Sequence, residues 1–164
     1  MVGALLFALT LAINAIVTSH SASASASRPS IKISTRTYPI RGSSVGELKR
    51  QMASRGPNGY WGFARWVVRW SATCRVTLTV RYILPRWVNQ SGASPALRRR
   101  WRRMLTALRR HEHQHGRHGI AAAKELSRTR CRNNPHGIVA RWSAADRAFD
   151  RRTIHGRTQG VRLD

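Results

Sequence analysis

Five consecutive residues, His111-Glu112-His113-Gln114-His115, fit the pattern H-E-x-x-H. On an α-helix, side chains four residues apart lie about 40° apart around the axis, so both outer imidazoles can face one cation. The carboxylate after the first histidine points to the side of that face, where it can act on water without binding the metal. This spacing is typical of a zinc peptidase site, with His111 and His115 as ligands and Glu112 as general base.

The glutamate makes this pattern more informative than the histidines alone. Four of the seven histidines lie within residues 111–118, which raises the chance of a coincidental match. The sequence contains only six acidic residues, however, and Glu112 occupies the one position that general-base chemistry requires. A histidine cluster without catalysis, acting as a loose metal-binding or pH-sensitive patch, is the alternative interpretation.

The pentad is expected in the second half of a long helix. Ser94-Pro95 is typical of an N-cap followed by proline at the first helical position, and apolar residues follow at helical spacing through Leu108. We expect this helix to begin near residue 95 and to end near Arg130. Gly116 and Gly119 are expected to weaken it just beyond the pentad.

A small sheet and two further helices are predicted around the long helix. The predicted elements are, in chain order, a strand at residues 28–41, a short helix from Ser43 or Ser44 to Gly56-Pro57, strands at 63–71 and 74–84, the long helix, and a last helix at 138–152. The chain is expected to leave the sheet at residues 84–87. The predicted fold class is α+β, a small antiparallel sheet packed against the motif-bearing helix and one or two further helices.

The N-terminal segment predicts export. Residues 2–17 are almost wholly apolar, and alternating serine and alanine follow through Ser27. We interpret residues 1–26 as a signal peptide cleaved near Ala24 or Ala26, although no basic residue precedes the apolar run. An uncleaved anchor in the inner membrane is the alternative. Residues 28–164 then form a single zincin-like domain that is periplasmic or secreted.

Two cysteines fit this interpretation. Cys74 and Cys131 are the only cysteines of the chain, and in an oxidising compartment they most simply form one disulfide. Neither belongs to a C-x-x-C pair, so a cysteine zinc site is not indicated.

The charge of the chain is strongly basic, with a net charge of +24 and a pI near 12.0. The 30 basic residues are spread along the whole chain, and only three of them are lysines. We therefore expect non-specific binding to anionic surfaces and no specific nucleic-acid partner.

A series of short motifs runs along the chain in a defined order: Tyr38-Pro39-Ile40, Gly42, Glu47-Leu48, Gly56-Pro57, Trp66, Trp70, Cys74, Leu84-Pro85-Arg86-Trp87, Trp101, the pentad, Phe149-Asp150-Arg151-Arg152-Thr153-Ile154-His155-Gly156 and Gln159-Gly160. In order and spacing they resemble a family of predicted secreted zinc-dependent proteases of proteobacteria, first catalogued as a domain of unknown function. The resemblance covers roughly residues 34–161. It implies a zinc-dependent protease, and this chain departs from the family mainly in its basic charge.

The third protein ligand that a catalytic zinc requires is sought in the family-like C-terminal run. We favour His155 as ligand with Asp150 as hydrogen-bonding partner of a ligating imidazole, and the reverse assignment, Asp150 as ligand, stays open. His118 is a weaker alternative, because two helical turns, about 10 Å, separate it from His111.

These residues lead to one main hypothesis and two rivals. The main hypothesis is an exported zinc metallopeptidase that hydrolyses peptide bonds of a peptide or protein substrate with Glu112 as general base. The first rival is a non-catalytic zinc-binding envelope protein. The second is a cationic module that binds anionic envelope polymers or nucleic acid.

Overall fold

The computed structural model describes residues 28–132 and 134–164. The predicted signal peptide at residues 1–26 lies outside the described residues. The elements are, in chain order, β1 (Ser30–Ile40), α1 (Val45–Arg55), β2 (Phe63–Trp70), β3 (Val76–Trp87), α2 (Pro95–Arg128) and α3 (Pro135–Thr153), with 3₁₀ turns at Pro57–Gly59, Gln90–Gly92 and Arg157–Gln159. The α+β class is confirmed. In the two described ranges, no helix has the length and apolar character needed to cross a membrane.

The three-stranded sheet is mixed, which corrects the expectation of an antiparallel sheet. The strand order is β1-β3-β2, with β2 antiparallel to β3 and β1 parallel to β3. A parallel pair needs a long crossover connection. Here the chain between β1 and β3 contains α1 and β2, so it can return to the same end of the sheet before β3 begins.

Strand β3 is longer than predicted and continues through residues 84–87 instead of leaving the sheet there. Pairing of β3 with β2 reaches only as far as Ile83, which lies opposite Phe63, the first residue of β2. Pairing of β3 with β1 continues as far as Trp87. Proline can occupy a strand where its missing N–H faces no partner. Pro85 lies in this stretch, where one edge of β3 has no neighbouring strand.

Two apolar clusters hold α2 against the rest of the fold. The first joins α1, the end of β3 and the first half of α2 as far as Leu108. The second joins β2, β3, the start of α3 and the second half of α2 from Ala122. Residues 111–115 lie between the clusters, so both ends of the pentad-bearing helix are fixed by packing.

Helix α3 runs antiparallel to α2. Contacts pair Trp142 with Glu125, Asp146 with His118, and Asp150 with His111, so residue numbers rise along α3 as they fall along α2. Asn134 caps the start of α3 through the backbone N–H of Gly137. This return of the chain places the acidic residues of α3 beside the histidines of α2.

The predicted disulfide between Cys74 and Cys131 is confirmed. It joins the β2–β3 loop to the turn that follows α2. Structural disulfides form and persist in oxidising compartments, so the bond is typical of an extracellular or periplasmic protein.

Candidate metal centre

The pentad lies on an unbroken stretch of α2, with its three chemically important side chains facing inward. His111, Glu112 and His115 are only 3%, 4% and 6% exposed, whereas His113 is exposed to solvent. The expected weakening of the helix at Gly116 and Gly119 does not occur. These glycines instead permit close packing, because a Cβ at Gly119 would lie 2.7 Å from Trp66 Cβ, and one at Gly116 would lie 1.9 Å from the Tyr82 hydroxyl.

Three potential ligand atoms converge at this face of α2. The Nε2 atoms of His111 and His115 lie 3.3 Å apart, and each lies 3.1 Å from Asp150 Oδ1. Asp150 reaches this position from the last turns of α3. The three residues form one of the two groups among the described residues whose donor atoms could hold a metal ion.

The other ring nitrogen of each histidine has its own partner. Nδ1 of His111 lies 2.9 Å from Gln159 Oε1, and Nδ1 of His115 lies 2.8 Å from Asp146 Oδ1. These oxygens accept hydrogen bonds, so the ring protons are assigned to Nδ1 in both cases. Each Nε2 atom is then left with a lone pair directed at the same point, as in metal sites where an outer partner fixes the imidazole tautomer.

The donor set fits a divalent cation. Two imidazole nitrogens and a carboxylate oxygen are ordinary zinc ligands, and three of them leave one tetrahedral position open. Ligands of a tetrahedral zinc ion lie about 3.3 Å from one another, close to the observed separations. Without a cation or a shared proton, three lone-pair-bearing atoms at 3.1–3.3 Å would repel one another.

The electrostatics of the site differ from those of the rest of the molecule. Three of the six acidic residues of the sequence, Glu112, Asp146 and Asp150, surround the two buried histidines. Burial lowers the pKa of His111. Burial acts in the same direction on His115, but the hydrogen bond to Asp146 and the nearby carboxylates outweigh it and raise the pKa of that ring.

Asp146 is held as an anion by its neighbours. Burial alone would raise its pKa, but hydrogen bonds from His115 and His118 outweigh that effect and lower it. Its second oxygen also accepts a hydrogen bond from the indole N–H of Trp66 at 3.2 Å. Asp146 therefore links β2, α2 and α3 at the base of the site.

Glu112 lies in the same site without a structural partner. Its carboxylate makes no hydrogen bond to any group in the described part of the chain, although the residue is 4% exposed. Burial raises its pKa to about 7, and the charges of Asp150 and Asp146 add to this effect, while His115 opposes it. A carboxyl group with such a pKa can take up and release a proton near neutrality.

The site opens into a cleft of about 690 Å³. His111, Glu112, His115 and Asp150 line one part of it, and Tyr60 and Trp61 from the segment before β2 line another. This volume is within the usual range for a ligand site. Any ion held by the two histidines and Asp150 would therefore be accessible from solution.

His155, the favoured third ligand, is not brought into the group of three. Its side chain is 53% exposed, its ring lies 5.2 Å from that of Tyr60, and its Nδ1 lies 3.7 Å from Asp150 Oδ2. It follows Ile154 in a left-handed turn after the end of α3. Asp150, the alternative, lies between the two histidines.

His118 belongs to a second group, with His115 and Asp146. Its Nδ1 and that of His115 both contact Asp146 Oδ1, at 2.6 and 2.8 Å. A neutral imidazole has only one unprotonated nitrogen. If His115 offers Nε2 to the first group, it donates a proton to Asp146 and cannot bind a second ion through Nδ1.

Asp146 was not predicted from the sequence as a residue of this site. The sequence does contain a pattern that indicates it, because Asp146 and Asp150 are four residues apart within the predicted last helix and so share one helical face. The contact of Gln159 with His111 was not predicted either, because it depends on the turn after α3.

No curated protein and no solved structure matches this chain. Residues 35–156 match a family described as "Bacterial protein of unknown function (DUF922)". The matched range includes the whole of α2 and α3, and therefore both histidines, Glu112 and Asp150. Because the match spans well over half of the chain, this protein belongs to the DUF922 family of bacterial proteins.

Proposed function

We propose that the protein is an exported zinc-dependent peptidase, with His111, His115 and Asp150 as zinc ligands and Glu112 as general base. The observation that carries the proposal is the convergence of two imidazole Nε2 atoms and a carboxylate oxygen within 3.1–3.3 Å of one another. Export is supported by the apolar N-terminal sequence and by the Cys74–Cys131 disulfide.

Asp150 replaces His155 as the proposed third ligand. Asp150 Oδ1 is equidistant from both histidine nitrogens, whereas His155 contacts the other Asp150 oxygen through Nδ1, at 3.7 Å. Two histidines and one carboxylate are also a known ligand set of zinc peptidases.

The proposed chemistry divides between the metal and the chain. A zinc ion held here would supply polarisation of the scissile carbonyl and acidification of water. Glu112 accepts the proton of the attacking water and transfers it to the leaving amine as the C–N bond breaks. Asp146 and Gln159 keep both imidazoles oriented, and the cleft admits the peptide.

The test is a peptidase assay on protein produced by export, so that the disulfide forms. A peptide library should be cleaved by the zinc-loaded protein, and a chelator should abolish cleavage. Glu112→Gln should retain zinc but lose activity by a factor of about 100 or more, since general-base catalysis contributes about 10²–10⁴. Equal activity in that variant would contradict the assignment of Glu112.

One further outcome separates the main proposal from its first rival. Full zinc occupancy without hydrolysis of any peptide would favour a non-catalytic zinc-binding protein. Hydrolysis that survives complete removal of metal would exclude both.

A further inference from the structure

A second concave surface lies beside the catalytic cleft and is lined by arginines. This groove, of about 630 Å³, is lined by Arg100, Arg102, Arg103 and Arg110 of α2 and by Arg162 of the C-terminal segment. Asp164 is the one acidic residue that lines it. Within the described residues, none of the five arginines makes an ion pair, so their guanidinium groups are available to a ligand.

The arginine groove adjoins the proposed catalytic cleft. Arg162 and Asp164 line both surfaces, and the cleft itself has basic residues, Lys49 and Arg157, on its lining. Gln159 also lines the groove, and its Oε1 accepts the hydrogen bond from His111. A chain bound in the groove would therefore lie next to the candidate zinc ligands.

The lining of the groove restricts what it can bind. Guanidinium groups pair with carboxylates and phosphates through parallel hydrogen bonds. The groove has no aromatic residue on which a nucleic-acid base could stack, and its only apolar lining residues are Ala107 and Gly160, too small to anchor a lipid chain. An extended peptide rich in carboxylates satisfies these features and also enters a peptidase cleft.

We propose that the arginine groove is a substrate-binding surface that selects acidic polypeptides. Acidic side chains on one side of the scissile bond pair with Arg100, Arg103 and Arg110. Arg162 lies where the groove meets the cleft, because it lines both. The inference rests on the proposed peptidase function, because that function is what makes a peptide the occupant.

The test measures binding without cleavage. Zinc-loaded protein carrying Glu112→Gln is titrated with a fluorescent glutamate-rich peptide and with its glutamine counterpart of equal length, at physiological salt. The groove variant adds Arg100→Gln, Arg103→Gln and Arg110→Gln. The matched control adds Arg65→Gln, Arg69→Gln and Arg81→Gln, three exposed arginines on β2 and β3. Both variants lose the same net charge, and circular dichroism checks that each is folded.

The groove variant should bind the acidic peptide about tenfold more weakly, since it loses three exposed ion pairs with the ligand. The control variant should bind it nearly as well as the parent protein. Equal loss in the two variants would mean that binding reflects net charge alone, and it would overturn the proposal. Tighter groove-dependent binding of an oligothymidylate or of anionic phospholipid vesicles would assign the groove to another partner.

A second measurement separates this inference from the proposed function. If the wild-type protein cleaves a peptide library without preference for acidic residues, the peptidase proposal stands and the groove proposal fails. If acidic peptides bind through the groove but no peptide is ever cleaved, the peptidase proposal fails instead.

Discussion

Asp150 is the side chain that completes the candidate metal site with the two histidines. One of its oxygens contacts both Nε2 atoms at 3.1 Å, and the carboxylate supplies the negative charge that two neutral imidazoles lack. Glu112 lies beside this group and has no other partner among the described residues. The roles proposed for the two carboxylates therefore follow from what surrounds each of them.

The assignment of Asp150 predicts how two single substitutions differ. Asp150→Asn should weaken zinc binding by more than about 100-fold, because even loss of an outer partner of a ligand costs roughly 10–100-fold. His155→Asn should leave zinc affinity close to that of the wild type, because the ring is half exposed and outside the group. Competition with a chelator of known affinity measures both. The opposite ranking would restore His155 as the ligand.

Two of the three proposed ligands and the proposed general base could be predicted from the sequence. His111, Glu112 and His115 could be predicted because their fixed spacing on a regular helix determines which way they face. The choice between Asp150 and His155 as third ligand could not be predicted, because it depends on where α3 ends. Asp150 is still on the helix, whereas Ile154 and His155 take left-handed conformations that turn the chain and place His155 against Tyr60.

Helix α2 positions the site because it is packed closely against the sheet along its second half. The helix crosses β2 at Gly119, where the Trp66 side chain begins. Its N-terminal cap and long amphipathic pattern were predictable from residues 94–108. The direction of strand pairing was not predictable, because the alternation of apolar and polar residues determines which face of a strand is buried but not whether its neighbour is parallel. This is why β1 was expected in the wrong orientation.

Gly119→Ala tests the close packing of α2. Alanine favours a helix by about 1 kcal/mol over glycine, but overpacking a core typically costs about 1–3 kcal/mol. The new Cβ would lie 2.7 Å from Trp66 Cβ, which is fixed to the backbone, so we expect overpacking to outweigh helix propensity and to give a net loss of up to about 2 kcal/mol in unfolding free energy.

Urea denaturation measures that loss, and Gly92→Ala is the matched control. A Cβ at Gly92 would meet nothing within 4 Å, so this variant should unfold like the wild type. Equal or greater stability of Gly119→Ala would show that the helix and β2 can move apart at little cost.

The contact between α2 and α3 predicts a pH dependence of stability. The indole N–H of Trp142 donates to Glu125 at 2.8 Å, Arg141 also contacts this carboxylate, and both hold its pKa below 4.5. A carboxyl whose pKa is lower in the folded state stabilises the fold above its unfolded pKa, and the effect is lost as pH falls through the folded value.

Glu125→Gln should therefore lower the melting temperature at neutral pH, and the difference should shrink as the pH falls below about 4.5. Thermal denaturation of both proteins over this range measures the effect. A difference that persists unchanged in acid would mean that the carboxylate charge is not its source.

The molecule as a whole combines a net charge of +24 with one acidic site, since three of its six acidic residues surround the two buried histidines. Like charges repel one another throughout the surface, so the fold depends on packing and on the Cys74–Cys131 bond. The charge itself was evident from the sequence, but the position of the arginine groove beside the cleft depends on the path of residues 157–164.

The disulfide should stabilise the fold without controlling the metal site. It closes a loop of 57 residues, for which chain entropy gives about 4 kcal/mol. The Cys74→Ser/Cys131→Ser variant should lose up to this amount in unfolding free energy. Zinc affinity should be retained under conditions where the variant is folded, because the end of α2 lies about 20 Å along the helix from His115. A parallel loss of zinc affinity would contradict this separation.

The most direct test of the account is an anomalous diffraction map, collected at the zinc edge, of crystals of the zinc-loaded protein. We expect one strong peak between His111 Nε2, His115 Nε2 and Asp150 Oδ1, facing the cleft beside Glu112. A peak on His155, a peak between His118 and Asp146, or an empty site in a protein saturated with zinc would contradict it.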